Sequence, residues 1–243
     1  MRRAPGRAFL IALAIFTLAI PRSSSAPALA QTPLEANRLE VPFDPNPATP
    51  KGLPAGWRMQ RHRGEPEPVL EKRGGRFYLR LVSRGDKAYG IRKEMRVDLR
   101  EFPYLQWTWK AVRLPLGGDV RRRDADDQAL QMYVIFPGSG VTARLSPTAL
   151  AYVWDNRAPK GFVAPSPQPS MRRVRYVVLR NGTDPLGTWV TERRNIRQDA
   201  SALFRDLGLG EPPPAEGILL FINTHKTGTE AEGLIGDIHF SSR

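Results

Sequence analysis

The chain has no cysteine among its 243 residues. That absence removes disulfides, thiolate nucleophiles and cysteine-based zinc sites together. Histidine is nearly as scarce: His62, His225 and His239 are the only three, far apart and outside any ligand spacing. No Gly-x-Ser-x-Gly elbow accompanies them, so a serine–histidine hydrolase leaves no signature here. "GSG" at Gly138–Gly140 follows a strand-like run, but no helix and lysine come after it, which excludes a phosphate-cradling loop. After Ile20 no segment approaches the roughly 20 apolar residues that a membrane-spanning helix needs. Acids are short as well: 24 Asp and Glu face 37 Lys and Arg, for a formal charge of +13.

What is present begins with an export pattern. Arg2, Arg3 and Arg7 form a positive start, Ala8–Ile20 is apolar, and Ala28-Leu29-Ala30 is a small-x-small site. These features predict a signal peptide over 1–30, cleavage after Ala30, and a periplasmic or secreted protein. No cysteine follows to take a lipid, and the paired arginines lack the flanks of a twin-arginine signal. About 210 residues remain, enough for one domain that buries a core without disulfides. Four arginines and no acid precede Gln31, which leaves +9 of the +13. Such a balance favours anionic partners, namely acidic glycans, lipid head groups or nucleic acid, and export makes nucleic acid the least apt. An arginine-heavy composition produces a basic surface by itself, so charge alone does not choose.

Residues 31–54 are rich in proline and cannot sustain a helix. They are expected to be a linker or an edge segment, with a single domain over 55–243. Short period-two runs then follow one another. "PVLEKRGGRFYLRLVS" reads as a hairpin around Gly74-Gly75, with Phe77, Leu79 and Leu81 on one face. "YLQWTWKAV" puts Leu105, Trp107, Trp109 and Ala111 on one side and Gln106, Thr108 and Lys110 on the other. "ALQMYVIF" opposes Leu130, Met132, Val134 and Phe136 to Gln131 and Tyr133. One helix is expected near 199–207, capped by Asp199 and stopped at Gly208. About ten strands and one short helix predict an all-β fold, a two-sheet antiparallel jelly-roll sandwich.

Several motifs then stand in a fixed order: Trp107-x-Trp109-Lys110, Leu114-Pro115-x-Gly117-Gly118-Asp119, Asp126-Asp127 before Tyr133-Val134-x-Phe136, Leu150-x-Tyr152-Val153-Trp154, Trp189-Val190-x-Glu192-Arg193 and Gly236-Asp237-Ile238-x-Phe240. In this combination the chain resembles the bacterial "domain of unknown function 3047" family from about Leu53 to the C-terminus. The resemblance implies an exported sandwich of the galactose-binding-like, jelly-roll kind. Many such domains bind carbohydrate, although a fold does not confer that activity. In such domains an acid near the last strand often helps hold a structural calcium, and Asp237 is the matching residue; no other cofactor is implied. The loop after "GILLFIN", often acidic in such a family, is Thr224-His225-Lys226-Thr227 here, which argues against a carboxylate or metal site at that loop.

The candidate residues each have a plain structural alternative. Trp107 and Trp109 share a face with Leu105 and Ala111, which reads as core more readily than as a sugar platform. Lys110 points the other way, toward solvent or a groove. Asp119 and Asp124 stand beside Arg121–Arg123 as parts of a polar turn with local ion pairs. Asp126 and Asp127 abut a strand that carries Gln131 and Tyr133 on its non-core face, so they are either a functional pair or a solvated turn. Trp154 lies on a face that is either core or an aromatic groove. Glu192 and Arg193 alternate along the strand after Trp189 and have charges of both signs to pair with. Three readings follow: a non-catalytic domain binding an anionic glycan or envelope polymer; a glycan hydrolase or lyase using Asp126, Asp127 and Glu192; and a structural envelope interaction protein.

Overall fold

The computed structural model describes residues 37–46, 53–138 and 148–243. The expected signal peptide and its cleavage point after Ala30 lie outside the described residues. Two sheets face each other. One contains β1 (Arg38–Glu40), β3 (Val69–Arg73), β4 (Arg76–Arg84), β6 (Tyr104–Arg113), β11 (Val190–Asn195) and β13 (Glu230–Ser241). Its order is β11-β6-β13-β4-β3, with β1 also on β13. The other runs β2-β5-β12-β7-β8-β10-β9. Its members are β2 (Trp57–Arg63), β5 (Ala88–Val97), β7 (Leu130–Phe136), β8 (Thr148–Trp154), β9 (Val163–Pro165), β10 (Val174–Arg180) and β12 (Ala215–Asn223). The chain changes sheet repeatedly, as a jelly roll requires.

The period-two runs become strands because alternation lets each strand bury one face. Leu105, Trp107, Trp109 and Ala111 are completely buried, opposite Leu130, Met132, Val134 and Phe136 of the facing sheet. Trp107 meets Trp109 edge-on at 5.4 Å, and Trp109 meets Trp154 at 5.7 Å between ring centroids. The β3–β4 hairpin turns on Gly74 and Gly75, which pair Arg73 with Arg76 across a two-residue loop. Both glycines have positive φ, +55° and +82°, the combination that a tight hairpin turn demands and a side chain resists. Within 31–54, Arg38–Glu40 pairs with Glu40 opposite His239 on β13, and Val41 and Phe43 enter the core.

Two details differ from expectation. The sandwich is not wholly antiparallel: β10 lies parallel to β8, and residues 155–173 supply the crossover that a parallel pair needs. The helix, α1, spans Ile196–Asp206 and begins earlier than 199. Its cap is Asn195, whose side chain accepts from the Gln198 N–H. Asp199 instead accepts from the Tyr152 hydroxyl at 2.7 Å and pairs with Arg194 at 2.9 Å, so it fastens the helix to the sandwich. Leu203 and Phe204, adjacent on one face of the helix, are buried.

Candidate functional site

The outward face of the seven-stranded sheet carries the alternate residues of each strand: Gln131, Tyr133 and Ile135 on β7, Leu219, Phe221 and Asn223 on β12, Ala88 and Arg92 on β5, Val174 and Tyr176 on β10. This face is only partly open. The segments around Val120 and Ala158, with Phe162 and Met171, pack onto it and form a second apolar cluster with Tyr133, Ala151, Val153 and Val178. That cover explains why β7 and β8 are buried along their whole length. Between the cover and β2 lies a groove of about 580 Å³. Beside it on β5, a Cβ at Gly90 would stand 2.5 Å from the Leu220 carbonyl, 2.7 Å from a Leu219 methyl and 2.9 Å from the Phe221 ring, so glycine lets both side chains lie across β5.

A chain of hydrogen bonds fixes the polar groups of the groove. The Tyr133 hydroxyl donates to Gln131 Oε1 at 2.6 Å, and Gln131 Nε2 donates to Asn223 Oδ1 at 2.7 Å. Asn223 also receives the Gln128 N–H at 3.1 Å and donates to the Asp126 carbonyl at 2.7 Å and to Asp127 Oδ1 at 2.8 Å. Buried and satisfied, such a network holds each group in one orientation before any ligand arrives.

The two adjacent aspartates part company. Asp127 is 0 % exposed and points away from the groove into the β12–β13 loop. Its second oxygen accepts the backbone N–H groups of Lys226 at 2.9 Å and Thr227 at 2.6 Å, and His225 Nδ1 lies 3.6 Å from the first. Asp126 lines the groove. Gln128 and Gln168 donate to its two oxygens at 3.1 and 3.0 Å. Burial pushes its carboxyl up to about 6, against those amide hydrogen bonds and with help from the charges of Asp127 and Asp155. Asp119 and Asp124 pair locally with Arg121 and Arg122, each at 2.7 Å, as the polar-turn reading expects. The arginines hold both carboxyls below the usual carboxylate range.

The structure therefore brings Asp126, Gln131 and Tyr133 together and leaves the other sequence candidates elsewhere. Trp154 belongs to the core, completely buried against Trp109, with its indole N–H on the Asn181 carbonyl at 3.3 Å. The face it shares with Leu150 and Tyr152 is the inner face of β8, so it cannot line the groove. Glu192 is held on the β11–β10 side by Arg180 at 2.7 Å and the Trp109 indole at 3.2 Å. Arg193 stacks over Tyr104 at 3.7 Å, and Lys110 sits 5.1 Å from the Trp189 ring, both on the six-stranded sheet. The proposed acid–base set of Asp126, Asp127 and Glu192 is therefore not assembled.

Asp237 stands at a break in the last strand. It has a positive φ of 49° at a bulge in β13, with Arg76 at 3.2 Å and the Thr108 hydroxyl donating at 3.2 Å. Among the described residues no group of three His, Asp or Glu side chains stands together at it.

Sequence reasoning missed His62, Arg92, Gln168, Asn223 and His225 as parts of one groove. The signal for Asn223 was present: "GILLFIN" buries Ile218, Leu220 and Ile222, so Leu219, Phe221 and Asn223 must face outward. Burial pulls the pKa of both His62 and His225 below the ordinary value.

Among the described residues no helix is long and apolar enough to cross a membrane. A search of curated proteins finds no match. Solved structures give distant likenesses. The family 11 carbohydrate-binding module of cellulosomal cellulase Lic26A-Cel5E of Clostridium thermocellum is 8 % identical, with 84 % of this chain and 95 % of that one covered and a TM-score of 0.43. The xyloglucanase domain of NopAA, a type three effector from Sinorhizobium fredii, is 10 % identical, with 77 % and 94 % covered and a TM-score of 0.41. A mutant of the family 29 carbohydrate-binding module CBM29-2 is 12 % identical, with 85 % and 93 % covered and a TM-score of 0.36. At such low similarity the fold assignment rests on the strand pairing described above. A family model matches far more directly, over residues 55–239, and the chain belongs to that family, described as protein of unknown function (DUF3047).

Proposed function

We propose that this protein is an exported, non-catalytic domain that binds a carbohydrate or envelope polymer in the groove on the seven-stranded sheet. The observation that carries this reading is the meeting, in one groove, of a half-buried ring, Phe221, with side chains oriented in advance, Gln131, Asn223 and Asp126. A sugar presents an apolar C–H face and a fringe of hydroxyls. The ring suits the first, and fixed amides and a carboxyl suit the second. Binding is favoured over glycoside hydrolysis because hydrolysis by the usual route requires two carboxyls flanking the bond. Among the described residues only Asp126 lines the groove as an acid. Placement outside the cytoplasm rests on the Arg2–Ala30 sequence pattern.

The test is calorimetric titration of the purified protein with a panel of soluble glycans, beside Phe221→Ala. Saturable binding that survives high salt and weakens about 10-fold or more in Phe221→Ala supports the reading. Binding that ignores the substitution, or that disappears with salt, refutes it. Release of shortened product from a bound polymer would move the protein to the enzymes.

A further inference from the structure

We propose that the ligand of this groove is an acidic polysaccharide and that Arg92 receives a sugar carboxylate. This inference rests on the glycan-binding reading and specifies its substrate class. Arg92 lies on β5, opposite Leu219 of β12 and Arg58 of β2, and faces the groove. Its Nε is buried and has no hydrogen-bond partner. Arg175 is the other described arginine with such an Nε, but its Nη1 pairs with Asp206 at 2.6 Å. Arg63, Arg80, Arg84, Arg121, Arg180 and Arg194 each have an acid within 4 Å. A buried donor without a partner is costly to keep, and a guanidinium is shaped to take a carboxylate through two parallel hydrogen bonds.

The surroundings agree. Arg63 of β2 and Lys226 of the β12–β13 loop line the same groove, and His225 beside them has a buried Nδ1 with no hydrogen bond. The one acid among the described residues that line the groove is Asp126, from the segment before β7. The groove thus has Arg63, Arg92 and Lys226 among its lining side chains, and a carboxylate offers Arg92 a charged, two-pronged acceptor that a neutral glycan's hydroxyls do not.

Oligomers of galacturonate and of mannuronate are titrated into the protein, each beside its carboxyl-reduced, neutral counterpart, with a sulfated glucan as a third arm. The acid forms should bind about 10-fold or more tighter than their neutral counterparts, still measurably so in about 0.5 M salt. Arg92→Gln should abolish that preference, bringing the acid and neutral forms to equal affinity. Arg100→Gln, which removes an exposed arginine paired with Asp98, should alter neither. Equal binding of acid and neutral forms overturns the inference and leaves the glycan reading standing. Equal binding of the sulfated glucan shows attraction to charge and overturns the carboxylate assignment. Failure of every glycan to bind sinks both.

Discussion

Replacing Asp127 with alanine should destabilise the protein far more than replacing Asp124, three residues away in the same run of charges. Asp127 is fully buried, and three donors end on it: the Asn223 amide at 2.8 Å and the Lys226 and Thr227 backbone N–H groups at 2.9 and 2.6 Å. Alanine strands all three; a buried donor left unpaired, as the Asn223 amide would be, costs about 1–3 kcal/mol, and the two part-buried N–H groups somewhat less each. The three lie within five residues at the end of β12 and the loop after it and relax together, so the expected loss is about 3–5 kcal/mol rather than the full sum. For a domain of this size, about 2–4 °C of melting temperature goes with each kcal/mol, which makes the drop roughly 10 °C. Asp127→Asn should fall between. Its oxygen can keep the two backbone bonds, but its amide then meets the Asn223 amide, which cannot turn because Gln128 and Gln131 already donate to its oxygen. Asp124→Ala removes only an exposed pair with Arg122 and should change melting by about 2 °C or less. Scanning calorimetry on the three variants gives the order directly. If Asp127→Ala melted within about 2 °C of the wild type, the placement of Asp127 as the anchor of the β12–β13 loop would be wrong.

Two further expectations concern its neighbours. Because the folded state raises the Asp126 carboxyl from 3.8 to about 6, the native protein holds that proton more tightly than the unfolded chain. Its contribution is fully present below about pH 4 and is lost as pH rises through 6, a change of about 3 kcal/mol. Asp155 is also raised by burial and adds a change of the same sign. The measurement is therefore the difference between wild type and Asp126→Asn in urea midpoints from pH 4 to 7: the variant should lose less stability over that range, and parallel curves would contradict the assignment. Trp154→Ala should cost about 3–5 kcal/mol through its core cavity while leaving glycan affinity in the folded protein unchanged; normal stability with lost binding would put Trp154 in the groove after all.

The parts legible in the sequence are those decided by local alternation. Trp107, Trp109 and the Leu130–Phe136 strand declare their inner and outer faces two residues at a time, and so does the hairpin at Gly74-Gly75. Trp154 shows the limit of this rule. Alternation grouped it with Leu150 and Tyr152 but could not say which face of β8 turned inward, because both faces are covered. The helix start was misplaced for a related reason. Asn195 and Asp199 are both good caps, and a tertiary partner, the Tyr152 hydroxyl, takes the second. The groove itself was not legible. Asn223 reaches Asp126 across 97 positions, and Lys226 reaches Asp127 across 99. No local pattern encodes such pairings.

The opposite fates of Asp126 and Asp127 bear on what the groove can do. Two adjacent carboxylates on a loop suggest a pair that shares a proton or a cation, and that idea requires both to face one space. Here the chain turns between them. Asp127 is spent on holding the loop that carries His225 and Lys226, and Asp126 is left as a single acid among amides. The same loop thus brings Lys226 to the groove because Asp127 holds it in place, while Asp126 lines the groove itself. Loss of Asp127 should consequently weaken anion binding through displacement of His225 and Lys226, whereas loss of the Asp126 charge should not. An affinity for the acidic glycan that falls in Asp127→Asn but holds or rises in Asp126→Asn at pH 7 would show the pair acting as a support and a wall. Equal losses in both would mean that they act as one site.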